Sequence, residues 1–172
     1  MNEYLTFGLL SFTSFFSLVN PLGAVPVFMG MTDGAPAEVK KSIANRAVFT
    51  GVLTLLFFAF SGQLLFNIFG ISVNGLRIVG GLIFLSTGYD MLQGSNARTK
   101  GTEEETEISY DGHSIAVIPL GIPIICGPGA ITNAIVLMED AHSIEMQAVL
   151  IASMLLIFAI LLVTLYAAPR VM

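Results

Sequence analysis

Two apolar stretches of the chain are each interrupted by a cluster of prolines and glycines. The first cluster reads Asn20-Pro21-Leu22-Gly23-Ala24-Val25-Pro26. The second reads Ile118-Pro119-Leu120-Gly121-Ile122-Pro123, followed by Gly127-Pro128-Gly129-Ala130. Proline removes a backbone hydrogen bond and clashes with the preceding turn, while glycine leaves the backbone free to unwind. We therefore expect each cluster to break a helix.

A helix that is broken inside a membrane exposes backbone groups that can bind a ligand. The free N–H groups and the dipole at the start of the second half favour an anion such as a carboxylate. The freed carbonyls at the end of the first half favour a cation, so a zwitterion would suit both ends. Two interrupted spans in corresponding places indicate a transporter binding site, although prolines and glycines are also tolerated as simple kinks in membrane helices.

The candidate substrate-binding residues lie at the two breaks and in the first turn after the second break. An amide as deep as that of Asn20 needs hydrogen-bonding partners, and small polar residues spaced by 7, 4 and 3 lead to it along one helical face. That stripe is Thr6, Thr13, Ser17 and Asn20, and it could equally mediate helix packing. The full candidate set is Asn20, Pro21, Gly23, Pro26, Gly127, Pro128, Gly129, Thr132 and Asn133.

The ionisable residues add one candidate for proton coupling. Asp90 is that candidate, because a carboxylate within the membrane could carry a coupling proton. Both Asp90 and Arg77, about 20 Å apart along a helix, could instead be interface anchors. We predict no catalytic residue, cofactor or metal site, because no nucleophile with its base and no nucleotide-binding motif is visible. His113 and His142 lack metal-ligand spacing, and we predict that Cys126 is a small packing residue.

Composition and charge spacing indicate the elements that position these residues. Of 172 residues, 55% are hydrophobic and 11% are charged, against about 25% charged in a soluble domain. The chain is therefore predicted to be an integral membrane protein. Its net charge of −5, without a basic patch, argues against nucleic-acid binding. Long runs free of charge predict five membrane helices near residues 5–29, 46–67, 71–92, 114–137 and 147–167.

The basic residues predict the orientation of these helices. Six of the seven Lys and Arg residues lie on one side of the predicted bundle, and only Arg77 lies on the other. The positive-inside rule then places the N-terminus outside and the loops 33–46 and 93–113 in the cytoplasm. The loop 93–113 carries two basic and five acidic residues. We predict a solvated cytoplasmic linker there, with partner binding as the alternative.

The two interrupted helices also predict an internal repeat. Pro21-Leu22-Gly23 recurs as Pro119-Leu120-Gly121, and three helices per unit would make the second unit enter the membrane from the opposite side. We therefore predict an all-α membrane protein with a 3+3 inverted repeat. Residues 1–92 would form the first three-helix repeat, 93–113 the acidic linker and 114–172 an incomplete second repeat that ends before a sixth helix.

Taken together, these motifs resemble the MarC family of bacterial inner-membrane proteins over essentially the whole chain. The resemblance is carried by residues 20–28, Gly80-Gly81, residues 119–123 and residues 127–131. It implies a multi-pass protein of the bacterial inner membrane with six helices. It also implies transport of small neutral amino acids such as glycine, alanine and threonine. The chain departs from the family pattern because it lacks the usual sixth helix.

The sequence therefore predicts a secondary transporter, an exporter or exchanger, of small neutral amino acids. Its partners would be the substrate, the lipid bilayer and a second copy of the chain, with no cofactor. The alternative is a non-transporting membrane protein with a regulatory role in envelope stress or antibiotic resistance, acting through the loop 93–113. Drug efflux is disfavoured, because a polyspecific site needs a large apolar cavity and these breaks are built from Gly, Pro, Ala and Asn.

Overall fold

The computed structural model describes residues 3–70, 72–92 and 125–171. These residues form six helices and no strand: α1 (Glu3–Val19), α2 (Pro21–Met31), α3 (Ala37–Phe69), α4 (Val73–Leu92), α5 (Pro128–Asp140) and α6 (Ile144–Val171). Three stretches within them are long and apolar enough to cross a membrane, namely Glu3–Met31, Ala37–Gly62 and Ile144–Ala168. The predicted all-α membrane class is confirmed.

The first predicted helix is broken where the sequence indicated, with α1 ending at Val19 and α2 beginning at Pro21. The second predicted helix begins at Ala37 rather than at residue 46. Charged residues mark where the apolar core of a membrane ends, and a helix can continue beyond that edge. The linker 93–113, Pro119 and Pro123 lie outside the described residues, as does the first half of the fourth predicted helix. Its second half is α5.

Helix α6 lies at the centre of the described bundle and packs against α1, α2, α3 and α5. Its buried side chains recur every three or four residues, as expected of one helical face: Leu150, Met154, Ile157, Leu161 and Leu165. A Cβ atom on Gly8 would lie 3.0 Å from Val149 Cγ1, so the beginnings of α1 and α6 lie side by side. These two helices therefore run parallel.

Helix α3 presents an exposed apolar face along most of its length. The exposed residues recur at the same three- to four-residue interval: Phe49, Leu53, Phe57, Phe60, Leu64 and Ile68. Such a continuous apolar face would be unfavourable in water, whereas lipid tails are as apolar as these side chains. The face is the surface expected of a helix that contacts lipid.

A polar contact marks each end of the bundle. At one end, Arg77 near the start of α4 forms an ion pair with Asp140, the last residue of α5. At the other end, the Tyr166 hydroxyl of α6 donates a hydrogen bond to Asn45 Oδ1 of α3 at 2.7 Å. Only residues 141–143 join α5 to α6, so α6 starts at the Asp140 end and reaches the Tyr166 end. Helix α5 is therefore antiparallel to both α6 and α1.

A candidate ligand site at two helix breaks

The break between α1 and α2 is made by Asn20. This residue has φ 45° and ψ 69°, the left-handed conformation that Asn tolerates better than most residues. Its side-chain Oδ1 accepts a hydrogen bond from the Gly23 N–H at 3.1 Å, which caps the start of α2. A Cβ atom on Gly23 would lie 2.3 Å from Asn20 Nδ2. Glycine is therefore required for this cap, and the amide oxygen of Asn20 finds its partner at the start of α2.

The break before α5 has a different cap. Gly127 is extended, with φ −71° and ψ 168°, and provides no side chain to accept a hydrogen bond. The Ile131 N–H donates to the Gly127 carbonyl at 3.1 Å, whereas Pro128 has no N–H to donate. Within the described part of the chain, the N–H groups of Gly129 and Ala130 have no acceptor, as expected of an uncapped first turn. Both residues are buried.

The two breaks lie at the same level in the bundle. Asn133 Nδ2 of α5 donates a hydrogen bond to Ser14 Oγ of α1 at 3.0 Å. Asn20 lies six residues beyond Ser14, and Gly127 lies six residues before Asn133. The helices are antiparallel, so both breaks lie about 9 Å from this hydrogen bond in the same direction, at 1.5 Å per residue. The end of α1 and the start of α5 therefore lie side by side.

Thr132 lies in the second turn of α5 and is 8% exposed. A Cβ atom on Gly80 of α4 would lie 2.5 Å from Thr132 Cγ2, so the methyl group rather than the hydroxyl lies against α4. The hydroxyl makes no hydrogen bond to any described residue. Side chains on a helix point back toward its N-terminus, and Thr132 is therefore directed toward the first turn at Pro128 and Gly129.

Several other candidate residues differ from Thr132 and Asn133 in their exposure or lie outside the described residues. The stripe residues Thr6, Thr13 and Ser17 lie on an exposed face of α1, and Thr13 donates to the Leu9 carbonyl of its own helix. Pro26 is exposed inside α2 and does not interrupt it. Pro21 is buried, whereas Gly23 and Pro128 are exposed. The side chain of Asp90 lies outside the described residues.

The polar residues of α1 that face the bundle are Ser11 and Ser14, which the sequence analysis missed. Ser11 is fully buried and donates to the Phe7 carbonyl at 2.8 Å. Ser14 donates to the Ser11 carbonyl and accepts from Asn133. Their three-residue spacing places them on one face, but nothing in the sequence shows which face of α1 is buried. Cys126, as predicted, is a buried packing residue.

No three His, Cys, Asp or Glu side chains of the described residues lie close enough to hold a metal ion. The arrangement thus offers backbone groups, hydroxyls and amides rather than charges.

A comparison of the sequence with known proteins places the chain in a family. The model of the MarC family integral membrane proteins matches residues 5–172.

The chain belongs to the MarC family.

Curated relatives extend this membership across archaea and bacteria. A UPF0056 membrane protein of Methanocaldococcus jannaschii is 36% identical over 168 residues, covering 98% of this chain and 82% of the relative. One from Pyrococcus horikoshii is 40% identical over 130 residues, covering 76% and 63% respectively. The UPF0056 membrane protein YvbG of Bacillus subtilis is 35% identical over 133 residues, covering 77% and 63%. No solved structure matches the chain significantly.

Membership in this family supports the predicted location of the chain in a membrane. A bacterial inner membrane is too narrow a description of the family, because its members include archaeal proteins. The chain spans 82% of the first relative and 63% of the other two. The names of these relatives describe them as membrane proteins and specify no substrate.

Proposed function

We propose that this MarC-family protein is a secondary transporter, an exporter or exchanger, of small neutral amino acids. The observation that carries the proposal is the pairing of helix ends of opposite polarity at one level. The end of α1 carries the negative end of a helix dipole, and the start of α5 carries a positive end. The Ser17 carbonyl also lacks its usual helical donor, because Pro21 has no N–H. An α-amino acid presents one cationic and one anionic group to these neighbouring ends.

The residues at the breaks favour a substrate with a small side chain. Gly127, Gly129 and Ala130 are buried and carry little or no side chain, so a ligand can approach their backbone closely. Within the described residues, the site itself contributes no charged side chain that would select a charged substrate. These features support glycine, alanine or threonine better than a large drug molecule.

The arrangement of the breaks also supports the inverted repeat and five membrane crossings as parts of this proposal. Helices α2 and α5 each begin with a proline directly after a break, and α5 runs antiparallel to α1. Two antiparallel units that each contribute a broken helix are expected of an inverted-repeat transporter. Alternating access would then rock residues 1–92 against residues 114–172, with Asp90 as the candidate carrier of a coupling proton.

The proposal is tested by alanine counterflow in proteoliposomes. The chain and the 36%-identical M. jannaschii relative are reconstituted in parallel, and accumulation of labelled alanine against internal unlabelled alanine is measured. We expect accumulation by both proteins and none in protein-free vesicles. The double variant Asn20→Ala/Pro21→Ala, which favours one continuous helix over residues 3–31, should lose counterflow. Pro36→Ala, in the exposed loop before α3, is the matched proline control and should retain it.

Two results would contradict the proposal. One is a lack of counterflow with glycine, alanine and threonine by both folded proteins. The other is undiminished counterflow in the double variant once its folding has been verified. In the first case the regulatory alternative would gain weight. It predicts a phenotype that depends on the loop 93–113 while solute fluxes stay unchanged.

A further inference from the structure

We infer that Arg46 is the centre of a binding site for the headgroup of an anionic phospholipid, and that the acyl chains of this lipid lie along the exposed apolar face of α3. Ser42 and Asn45 supply hydrogen-bond donors beside Arg46. The inference concerns the outer surface of the bundle and not the two helix breaks. It is therefore independent of the proposed transport function.

Arg46 continues the exposed apolar face of α3 toward the start of that helix. At 3.6 residues per turn, Arg46 points in nearly the same direction as Leu53, Phe57 and Leu64. Arg46 is itself exposed, and Phe49, the first large apolar residue of the face, lies three residues further along α3. One cation therefore stands at the edge of a surface that is otherwise apolar.

The length of this face places Arg46 at the level of the lipid headgroups. The distance from Phe49 to Ile68 is about 28 Å along the helix at 1.5 Å per residue, close to the roughly 30 Å thickness of the hydrocarbon core. The Tyr166 hydroxyl donates a hydrogen bond to Asn45, the residue before Arg46. Tyrosine is enriched at the interface between membrane and water, so this contact marks the same level.

The charge of Arg46 is not compensated by the described part of the protein. Arg46 forms no ion pair with a described residue. The nearest preceding carboxylate on α3 is that of Glu38, about 12 Å away along the helix, and Glu38 is paired with Lys41 at 3.6 Å. A lipid with a net negative charge complements such a cation. A zwitterionic lipid complements it less well, because its own ammonium group competes for its phosphate.

The neighbouring side chains suit a phosphate group. Side chains on a helix point back toward its N-terminus, which directs Arg46 away from Phe49 and toward the exposed hydroxyl of Ser42, one turn earlier. Asn45 Oδ1 accepts from Tyr166, and the amide nitrogen of this exposed residue can still donate. An arginine fork binds phosphate with two parallel hydrogen bonds. Three side chains at one level therefore offer donors to one headgroup.

Tryptophan fluorescence can measure which lipid occupies this position, because the chain contains no native tryptophan. Phe49→Trp places a reporter beside Arg46, at an exposed position. The variant is reconstituted in equimolar phosphatidylglycerol and phosphatidylcholine, with one or the other lipid brominated on its acyl chains so that it quenches the fluorescence. We expect phosphatidylglycerol to be preferred about 5-fold, the attraction typical of one basic residue near an anionic surface.

Two substitutions in the Phe49→Trp background separate a site from a general effect of charge. Arg46→Gln should abolish the preference for phosphatidylglycerol. Lys40→Gln removes the same charge about a third of a turn away from Arg46 on α3, and it should retain the preference. Size-exclusion profiles check that both proteins are folded.

A reporter at the other end of the same face is the matched control. Ile68→Trp should show no preference, since Arg77, the described cation at that end, is paired with Asp140. Equal quenching by the two lipids in Phe49→Trp, or a preference that survives Arg46→Gln, would overturn the inference. An equal preference at both reporters would overturn it as well, because it would indicate general attraction of anionic lipid. This last comparison requires no substitution of Arg46.

Discussion

At the residue scale, Asn20 combines two requirements that few other side chains meet together. Its backbone is left-handed, which costs most L-residues roughly 1–2 kcal/mol, and its side chain caps α2 through Gly23. Through this bond the amide oxygen shapes the break between α1 and α2. Asn20 thus positions the two helix ends on which the proposed site depends.

The dual role of Asn20 predicts an order of stability among its variants. Asn20→Gly keeps the left-handed backbone and loses the cap, which should cost a few tenths of a kcal/mol. Asn20→Ala loses the cap and also meets the left-handed penalty, so its free energy of unfolding should fall by about 2 kcal/mol. Reversible unfolding in mixed micelles measures both values. Equal stability of the two variants would show that residue 20 is not left-handed in the folded protein.

The sequence analysis placed the helix break at Asn20 but named the residue as a substrate-binding candidate and did not predict the cap. An asparagine that is followed directly by proline and lies three residues before a glycine is a recognisable helix cap. The hydrogen bond between Asn20 and Gly23 could therefore have been predicted from the sequence. The hydrogen bond between Ser14 and Asn133 joins residues 119 positions apart. Its detection requires knowledge of which face of α1 meets α5. That face is set by tertiary packing and not by local spacing.

At the element scale, close approach of α4 and α5 holds Thr132 in place. Gly80 provides this approach, because a Cβ atom there would lie 2.5 Å from Thr132 Cγ2. Close contact between small residues is a general means of packing membrane helices. The sequence indicated the helices themselves through their charge-free runs, but it does not show which of the adjacent Gly80 and Gly81 meets a neighbouring helix. The structure separates them, since Gly80 is buried and Gly81 is exposed.

This separation predicts opposite effects for two neighbouring substitutions. Gly80→Ala should destabilise the protein by about 1–3 kcal/mol through overpacking and should weaken alanine counterflow by displacing Thr132. Gly81→Ala places its Cβ where nothing lies within 4 Å, so it should leave stability unchanged or improve it slightly through helix propensity. Thermal unfolding and counterflow of both variants provide the measurement. Similar losses in both would contradict the described packing of α4 on α5.

At the scale of the whole molecule, the two polar contacts show which helix ends lie at the same end of the bundle. The Arg77–Asp140 pair joins the start of α4 to the end of α5, and the Tyr166–Asn45 bond joins α6 to α3 at the opposite end. This agrees with the alternation of crossings inferred from the basic residues. The sequence alone suggested that Arg77 was an anchor at the interface, because a partner 63 residues away cannot be seen in local spacing.

The same geometry predicts that Pro36 and His142 lie at opposite ends of the bundle, and the positive-inside rule predicts that the Pro36 end is cytoplasmic. Both residues are exposed, and the native Cys126 is buried, so single cysteines can be compared in a Cys126→Ala background. A membrane-impermeant maleimide added to intact cells should label His142→Cys and spare Pro36→Cys until the membrane is permeabilised. Labelling of both in intact cells would contradict the placement of the two loops at opposite ends. Labelling of Pro36→Cys alone would keep that placement and reverse the predicted orientation, because each loop would then face the other side of the membrane.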